Sequence, residues 1–197
     1  PPVFTETPPS ITEALFGRPI TLKCVAHGNP PPTIVWYKDG VVINQTSVNH
    51  VNVMVLNGSL TFSSASRETA GRYQCQASNS EGNEIHTMQL RVKGPPFILI
   101  PPTDTVLNMS HNALLRCQAE ADPPNMTYVW MRDGDNVYHI ESLKSRVKVM
   151  VDGTLLISKL IPKDSGKYTC MPTNGLLTPP TASATLTVRR MYMCVCV

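Results

Sequence analysis

The chain has 197 residues, a net charge of +3 and only 16% charged residues; it has no basic run and no interleaving of aromatic with basic residues, which excludes the usual footprint of nucleic-acid binding. Eighteen prolines and six cysteines fit a loop-rich secreted β protein made in an oxidising compartment. No apolar run approaches the roughly 20 residues that span a bilayer as a helix. Residues 1–16 are punctuated by proline and read as an extended edge strand. Ile20, Leu22 and Cys24 alternate with Thr21 and Lys23, the period of a half-buried strand. Gly28-Asn29-Pro30-Pro31-Pro32 is a loop, after which Ile34 and Trp36 point inward. Lys38-Asp39-Gly40 and Asn57-Gly58 are hairpin signals, because Asp-Gly and Asn-Gly accept the positive φ of tight turns. Leu60 and Phe62, then Tyr73, Cys75 and Ala77, then Met88, Leu90 and Val92 supply the inward faces of the remaining strands.

Lys93-Gly94-Pro95-Pro96 is a junction, short and stiffened by two prolines, so a fairly rigid rod is expected. Beyond it the plan repeats. Leu115 and Cys117 share a strand, Tyr128 and Trp130 the next, and Arg132-Asp133-Gly134 matches the first turn. Asp152-Gly153-Thr154-Leu155 matches Asn57-Gly58-Ser59-Leu60, and Ala184, Leu186 and Val188 close the second unit. Cys24 and Cys117 are 93 positions apart, Trp36 and Trp130 94, and Cys75 and Cys170 95. A repeat of that period is a tandem of independent modules: module 1 over 1–93, module 2 over 94–190, and a tail over 191–197 that belongs to neither.

Each module carries a cysteine, a tryptophan, then a tyrosine two residues before a second cysteine. This constellation resembles the immunoglobulin sandwich, in which the cysteines bridge the two sheets, the tryptophan packs on the bridge and the tyrosine hydroxyl bonds back to upstream backbone. The resemblance implies an all-β fold of two tandem immunoglobulin-like β-sandwiches, bridges Cys24–Cys75 and Cys117–Cys170, and a core built on Trp36, Tyr73, Trp130 and Tyr168. Zinc is the rival reading of the cysteines, but structural zinc ligands come in pairs two to four residues apart, and Cys24 and Cys117 stand alone. The bridged cysteines are 51 and 53 residues apart. A variable-type module has two extra strands in that interval, so these are intermediate-set or C2-type modules. Loop entropy alone gives each bridge an upper figure of about 4 kcal/mol.

Four acceptor triplets for N-glycosylation occur, at Asn44, Asn57, Asn108 and Asn125, all in predicted loops or edges. His27, His50, His86, His111 and His139 show no ligand spacing and read as solvated surface residues. Ser165 beside Asp164 belongs to the tyrosine corner, not to a nucleophile motif, and Arg132-Asp133-Gly134 is a turn. Cys194 and Cys196 form a CxC pair in the tail; metal chelation, a small ring or an interchain link are open to it, beside the plain reading that the tail lies outside the module. No metal or cofactor is expected and no catalysis.

A finer resemblance lies in Phe4-Thr5-Glu6-Thr7-Pro8-Pro9, Gly28-Asn29-Pro30-Pro31-Pro32, Gly94-Pro95-Pro96-Phe97-Ile98, Val151-Asp152-Gly153-Thr154-Leu155 and Pro172-Thr173-Asn174-Gly175-Leu176. These strongly resemble the turtle family, over residues 1–190, and look like the second and third immunoglobulin modules of its ectodomain. The resemblance implies an extracellular part of a single-pass neuronal membrane protein with a role in dendrite and synapse development. The implied partner is another copy of the same molecule or another cell-surface receptor. Two alternatives stand beside this: modules that only space adhesive sites carried elsewhere, and a secreted decoy. The chain opens on two prolines without a secretion signal, so it reads as a piece of a longer precursor. Two departures from the family pattern are expected at the corner. Glu68 stands for the usual Asp, and module 1 lacks an Arg corresponding to Arg146, having only His50 and Val51 nearby.

Overall fold

The computed structural model describes residues 1–44 and 53–191, with backbone only for Val53 and Met54. The chain divides into two compact units, Pro1–Lys93 and Gly94–Val197. The first contains β1 (Val3–Glu6), β2 (Ile11–Leu15), β3 (Ile20–Lys23), β4 (Val25–His27), β5 (Thr33–Lys38), β6 (Val41–Val42), β7 (Val53–Leu56), β8 (Ser59–Phe62), β9 (Gly71–Asn79) and β10 (Gly82–Lys93). One face of the sandwich joins β1 to β4 and orders β3-β8-β7; the other orders β2-β10-β9-β5-β6.

The second unit contains β11 (Phe97–Ile100), β12 (Thr105–Asn108), β13 (Ala113–Leu115), β14 (Gln118–Glu120), β15 (Thr127–Arg132), β16 (Asp135–Asn136), β17 (Val147–Val149), β18 (Leu155–Ile157), β19 (Gly166–Thr173) and β20 (Ala182–Arg189). Its pairing is the same: β11 with β14, β13-β18-β17, and β12-β20-β19-β15-β16.

The N-terminal segment is not one edge strand. β1 pairs antiparallel with β4 on one sheet, whereas β2 pairs in parallel with β10 on the other. Pro8 and Pro9 lie between them. Proline has no N–H for a ladder, so the chain leaves one sheet there and joins the other. Pro101 and Pro102 separate β11 from β12 in the same way.

Alternation does what it promises on the central strands. Leu22, Trp36, Leu60, Phe62, Tyr73, Met88 and Leu90 form one buried cluster, and Leu115, Trp130, Leu155, Ile157, Tyr168 and Leu186 anchor the other. Cys24 and Cys75 are joined across the first sandwich with Cα atoms 6.6 Å apart. Cys117 and Cys170 are joined across the second at 6.5 Å. Each indole N–H finds an acceptor behind the bridge: Trp36 Nε1 donates to Gly58 O at 3.0 Å and Trp130 Nε1 to Gly153 O at 2.8 Å.

Three of the four hairpin signals fold as two-residue turns with positive φ at both central residues: Asp39-Gly40 (48° and 83°), Asn57-Gly58 (50° and 81°) and Asp133-Gly134 (48° and 94°). Asp152-Gly153 differs. Only Gly153 has positive φ (91°); its N–H closes a turn on Met150 O at 3.0 Å, and Val149 faces Leu155 across a longer loop.

The corner tyrosines both reach back four residues. Tyr73 Oη donates to Thr69 O at 2.5 Å, and Tyr168 Oη donates to Asp164 O at 2.6 Å. A short 3₁₀ turn presents each carbonyl, Arg67–Thr69 in one unit and Pro162–Asp164 in the other. The counterpart of Asp164 is therefore Thr69, not Glu68. Thr69 is 2% exposed, and its Oγ1 accepts from Ser66 N at 2.9 Å as Asp164 Oδ2 accepts from Ile161 N at 2.9 Å. Glu68 points outward and takes the Ser66 hydroxyl at 2.7 Å, which holds its carboxyl below the usual range.

Both corner hydroxyls resist ionisation, burial being the larger cause. The Asp164 charge adds to it for Tyr168, which is pushed up to about 12; the Asp39 charge adds to it for Tyr73, which is also raised. The folded state holds these protons to higher pH than the unfolded chain, whose tyrosines titrate near 10. Stability from this source is complete below about pH 10 and is lost as pH rises toward about 12. Denaturant midpoints measured from pH 9 to 12 are expected to fall across that window. Tyr168→Phe is expected to remove the second module's share of the fall, at a loss of about 1–2 kcal/mol near neutral pH.

Candidate interaction face

The two faces of module 1 differ in chemistry. On the outer side of β3-β8 the polar groups are paired. Lys23 Nζ meets Glu6 Oε2 at 2.9 Å, and the Thr21 and Thr61 hydroxyls meet at 3.0 Å. Such a surface is already satisfied by itself and by water.

The outer side of β6-β5-β9-β10 differs in charge, although it too holds one polar pair, Gln74 Nε2 donating to Thr87 Oγ1 at 3.1 Å. Register brings Val42, Tyr37, Gln74 and Thr87 into one row and Val35, Gln76 and Ile85 into the next. None of the seven is charged, although these residues come from two hairpins, β5-β6 and β9-β10, that are far apart in the chain. Val42 is 44% exposed and Ile85 54%. Among them lies a shallow depression of about 230 Å³, lined by Tyr37, Gln74, Gln76 and Ile85 of the two rows and by Gly40. Charge returns only beyond these rows: Arg72 faces Gln89, and Arg91 and Lys93 engage Glu13 at 3.8 and 2.7 Å. An uncharged centre of aliphatic, amide and hydroxyl side chains with a charged margin fits a protein–protein contact, whose core is depleted of charge. The two rows across four strands cover about 250 Å², against the ~800 Å² per partner of a standard interface, so a contact centred here is weak unless its margin joins in.

Module 2 presents a corresponding row of Asn136, Met131, Thr169 and Ser183. Its methionine is half-buried, and the Thr169 and Ser183 hydroxyls pair at 2.7 Å. It lacks the protruding aliphatics of module 1.

The acceptor asparagines are all exposed. Asn57 tips the β7–β8 hairpin, Asn108 ends β12, and Asn125 lies in the loop before β15. Asn44 is two residues beyond Val42, next to the candidate face. Residues 45–52 and 192–197 lie outside the described residues, and with them His50, Val51, Cys194 and Cys196. His86 departs from the solvated reading: its Nε2 lies 2.8 Å from Pro8 O and its ring meets Phe4 edge-on at 6.4 Å. His27, His111 and His139 are exposed. Among the described residues no group of three or more His, Cys, Asp or Glu could hold a metal ion, and no helix is long and apolar enough to cross a membrane.

Sequence reasoning missed one structural pair. Asn79 and Asn174 each follow the second cysteine by four residues. Asn79 Nδ2 donates to Pro30 O at 2.7 Å, and Asn174 Nδ2 donates to Gly94 O at 2.8 Å. Their side-chain oxygens accept from Glu81 N and Leu176 N. The equal offset was the available signal.

Two disulfide-bridged sandwiches with tyrosine corners and an indole behind each bridge define an immunoglobulin-domain protein. An immunoglobulin-domain family model matches residues 1–79 and 95–174, and the chain belongs to that family. Within it the chain is 48% identical over 189 residues, 96% of its length, to protein turtle homolog B of Homo sapiens. It is 37% identical over 188 residues to protein turtle of Drosophila melanogaster. It spans 14% and 12% of those two proteins. The solved structure of DIP-gamma IG1+IG2 superposes with a TM-score of 0.68 over 96% of this chain and 98% of that one, at 17% identity, which is a likeness of fold. The turtle resemblance read from the residues therefore extends over nearly the whole chain.

Proposed function

We propose that these modules are extracellular recognition modules of a turtle-family cell-surface protein, the second and third immunoglobulin modules of its ectodomain, and that they bind another copy of the same molecule. The parent is a single-pass neuronal membrane protein acting in dendrite and synapse development, as the resemblance implies. The observation that carries the reading is the uncharged outer face of β6-β5-β9-β10, which a wholly structural spacer does not require. Three properties favour a like partner. A neutral centre lets a molecule of net charge +3 approach its own copy without local repulsion. Gln76 and the Tyr37 hydroxyl each carry both donor and acceptor, and Gln74, which gives one N–H to Thr87, keeps a second N–H and its carbonyl, so a two-fold contact can pair these groups with themselves. The protruding Ile85 and Val42 and the adjacent depression lie within one patch, as an isologous contact needs. Each contact is weak, and apposed membranes strengthen it by multivalency.

Sedimentation equilibrium on glycosylated residues 1–190 tests this. Reversible dimerisation in the micromolar to high-micromolar range is expected. A monomer throughout overturns the reading and favours the spacer. The four exposed asparagines are proposed to carry glycans.

A further inference from the structure

We infer that Asn44 is a glycan-bearing switch on the candidate face, one whose occupancy sets the strength of self-association; this rests on the self-recognition reading above. The register places it. Tyr37 pairs with Val42, and the ladder continues one step, Ile43 N donating to Trp36 O at 2.8 Å. Ile43 turns into the core at 8% exposure. By the period of two, Val42 and Asn44 both turn outward, and Asn44 comes opposite Val35 in the second uncharged row. Asn44, the first residue of the acceptor triplet Asn44-Gln45-Thr46, is thus beside the face proposed for self-recognition. The other three acceptors are placed differently. Asn57 is on the hairpin of the opposite sheet, and Asn108 and Asn125 belong to module 2.

A glycan is bulky and strongly solvated. Attached one strand spacing, about 4.8 Å, from the Val35 strand, it stands over Val42, Val35 and the flank of the depression. It opposes burial of the uncharged centre from an attachment point that is exposed. Molecules lacking the Asn44 glycan therefore pair more strongly than molecules carrying it. Acceptor occupancy becomes a setting of adhesion strength.

The experiment uses residues 1–190 secreted from mammalian cells, with peptide mapping of Asn44 occupancy and sedimentation equilibrium on five proteins: the parent, Asn44→Gln, Thr46→Ala, Asn57→Gln, and Asn44→Gln combined with Ile85→Asp. Mapping is expected to find Asn44 occupied. Asn44→Gln and Thr46→Ala, which remove the same glycan by different substitutions, are expected to dimerise about tenfold more tightly than the parent. Asn57→Gln is expected to match the parent, and the double variant to be monomeric. An unoccupied Asn44 overturns the switch. So does equal association of the parent and both glycan-free variants, which leaves self-recognition standing. Tight association that survives Ile85→Asp places the contact on another face and overturns the switch as well. Absence of association in every protein overturns self-recognition and the switch together.

Discussion

Replacing Asp164 by alanine is expected to destabilise module 2 by roughly 3–5 kcal/mol, because it strands a largely buried guanidinium. Asp164 is fully buried, and the Arg146 side chain is 18% exposed. The two meet in a bidentate pair, Nη1 to Oδ2 at 2.8 Å and Nη2 to Oδ1 at 2.7 Å. That hydrogen-bonded carboxylate raises the guanidinium's hold on its proton. Arg146 also donates to the Ser142, Ser158 and Lys159 carbonyls, tying the segment before β17 to the corner. Alanine at 164 removes the charge partner and the acceptor of Ile161 N together. Module 1 supplies the control, since Thr69 does the local capping there with no charge. Thr69→Ala is expected to cost only about 1–2 kcal/mol. Urea unfolding followed by tryptophan fluorescence, with Trp36 and Trp130 reporting on the separate modules, reads both. A loss under about 1 kcal/mol for Asp164→Ala would mean that the pair behaves as a surface ion pair, against its burial.

Gly153→Ala is expected to cost more than about 3 kcal/mol, at the upper end of single-residue effects. A Cβ there would lie 2.1 Å from Cys117 O and 2.4 Å from Tyr128 Cε1, at a φ of +91°. Relief would have to move the backbone beside the bridge or the tyrosine ring, and it would also displace the carbonyl that accepts from Trp130. Gly58→Ala is the milder counterpart, its Cβ falling 2.5 Å from Cys24 O. Gly134→Ala isolates the backbone cost. That glycine has φ +94° and nothing within 4 Å of a Cβ, so a loss of about 1–2 kcal/mol is expected. The predicted order of melting temperatures is Gly134→Ala above Gly58→Ala above Gly153→Ala. A Gly153→Ala protein as stable as Gly134→Ala would show that the bridge region yields easily.

These two predictions bear on function through the scaffold. The corner and the glycine behind the bridge hold module 2, whereas the candidate face is on module 1. Asp164→Ala and Gly153→Ala are therefore expected to lower stability without changing dimerisation while the chain is folded. Substitutions at Ile85 do the reverse.

The sequence by itself determined the sandwiches, their repeat, the tyrosine corners and three of the hairpins. These rest on local chemistry: strands of period two, dipeptides that accept positive φ, and the fixed offsets among Trp36, Tyr73 and Cys75 and their second copies. Proline's missing N–H was visible too, yet only the assembled sheets show that it sends β1 and β2 to different partners. Other features depend on which strands become neighbours. The role of Thr69 rather than Glu68 is decided by which carbonyl the Tyr73 hydroxyl reaches across the corner. The uncharged face draws alternate residues from β5, β9 and β10 and Val42 from β6, and Asn44 follows Val42 beside that face with Ile43 turned into the core between them. A residue's neighbours along the chain sit on opposite faces of the sheet, so the chemistry of one face is written by cross-strand register, which tertiary packing alone sets.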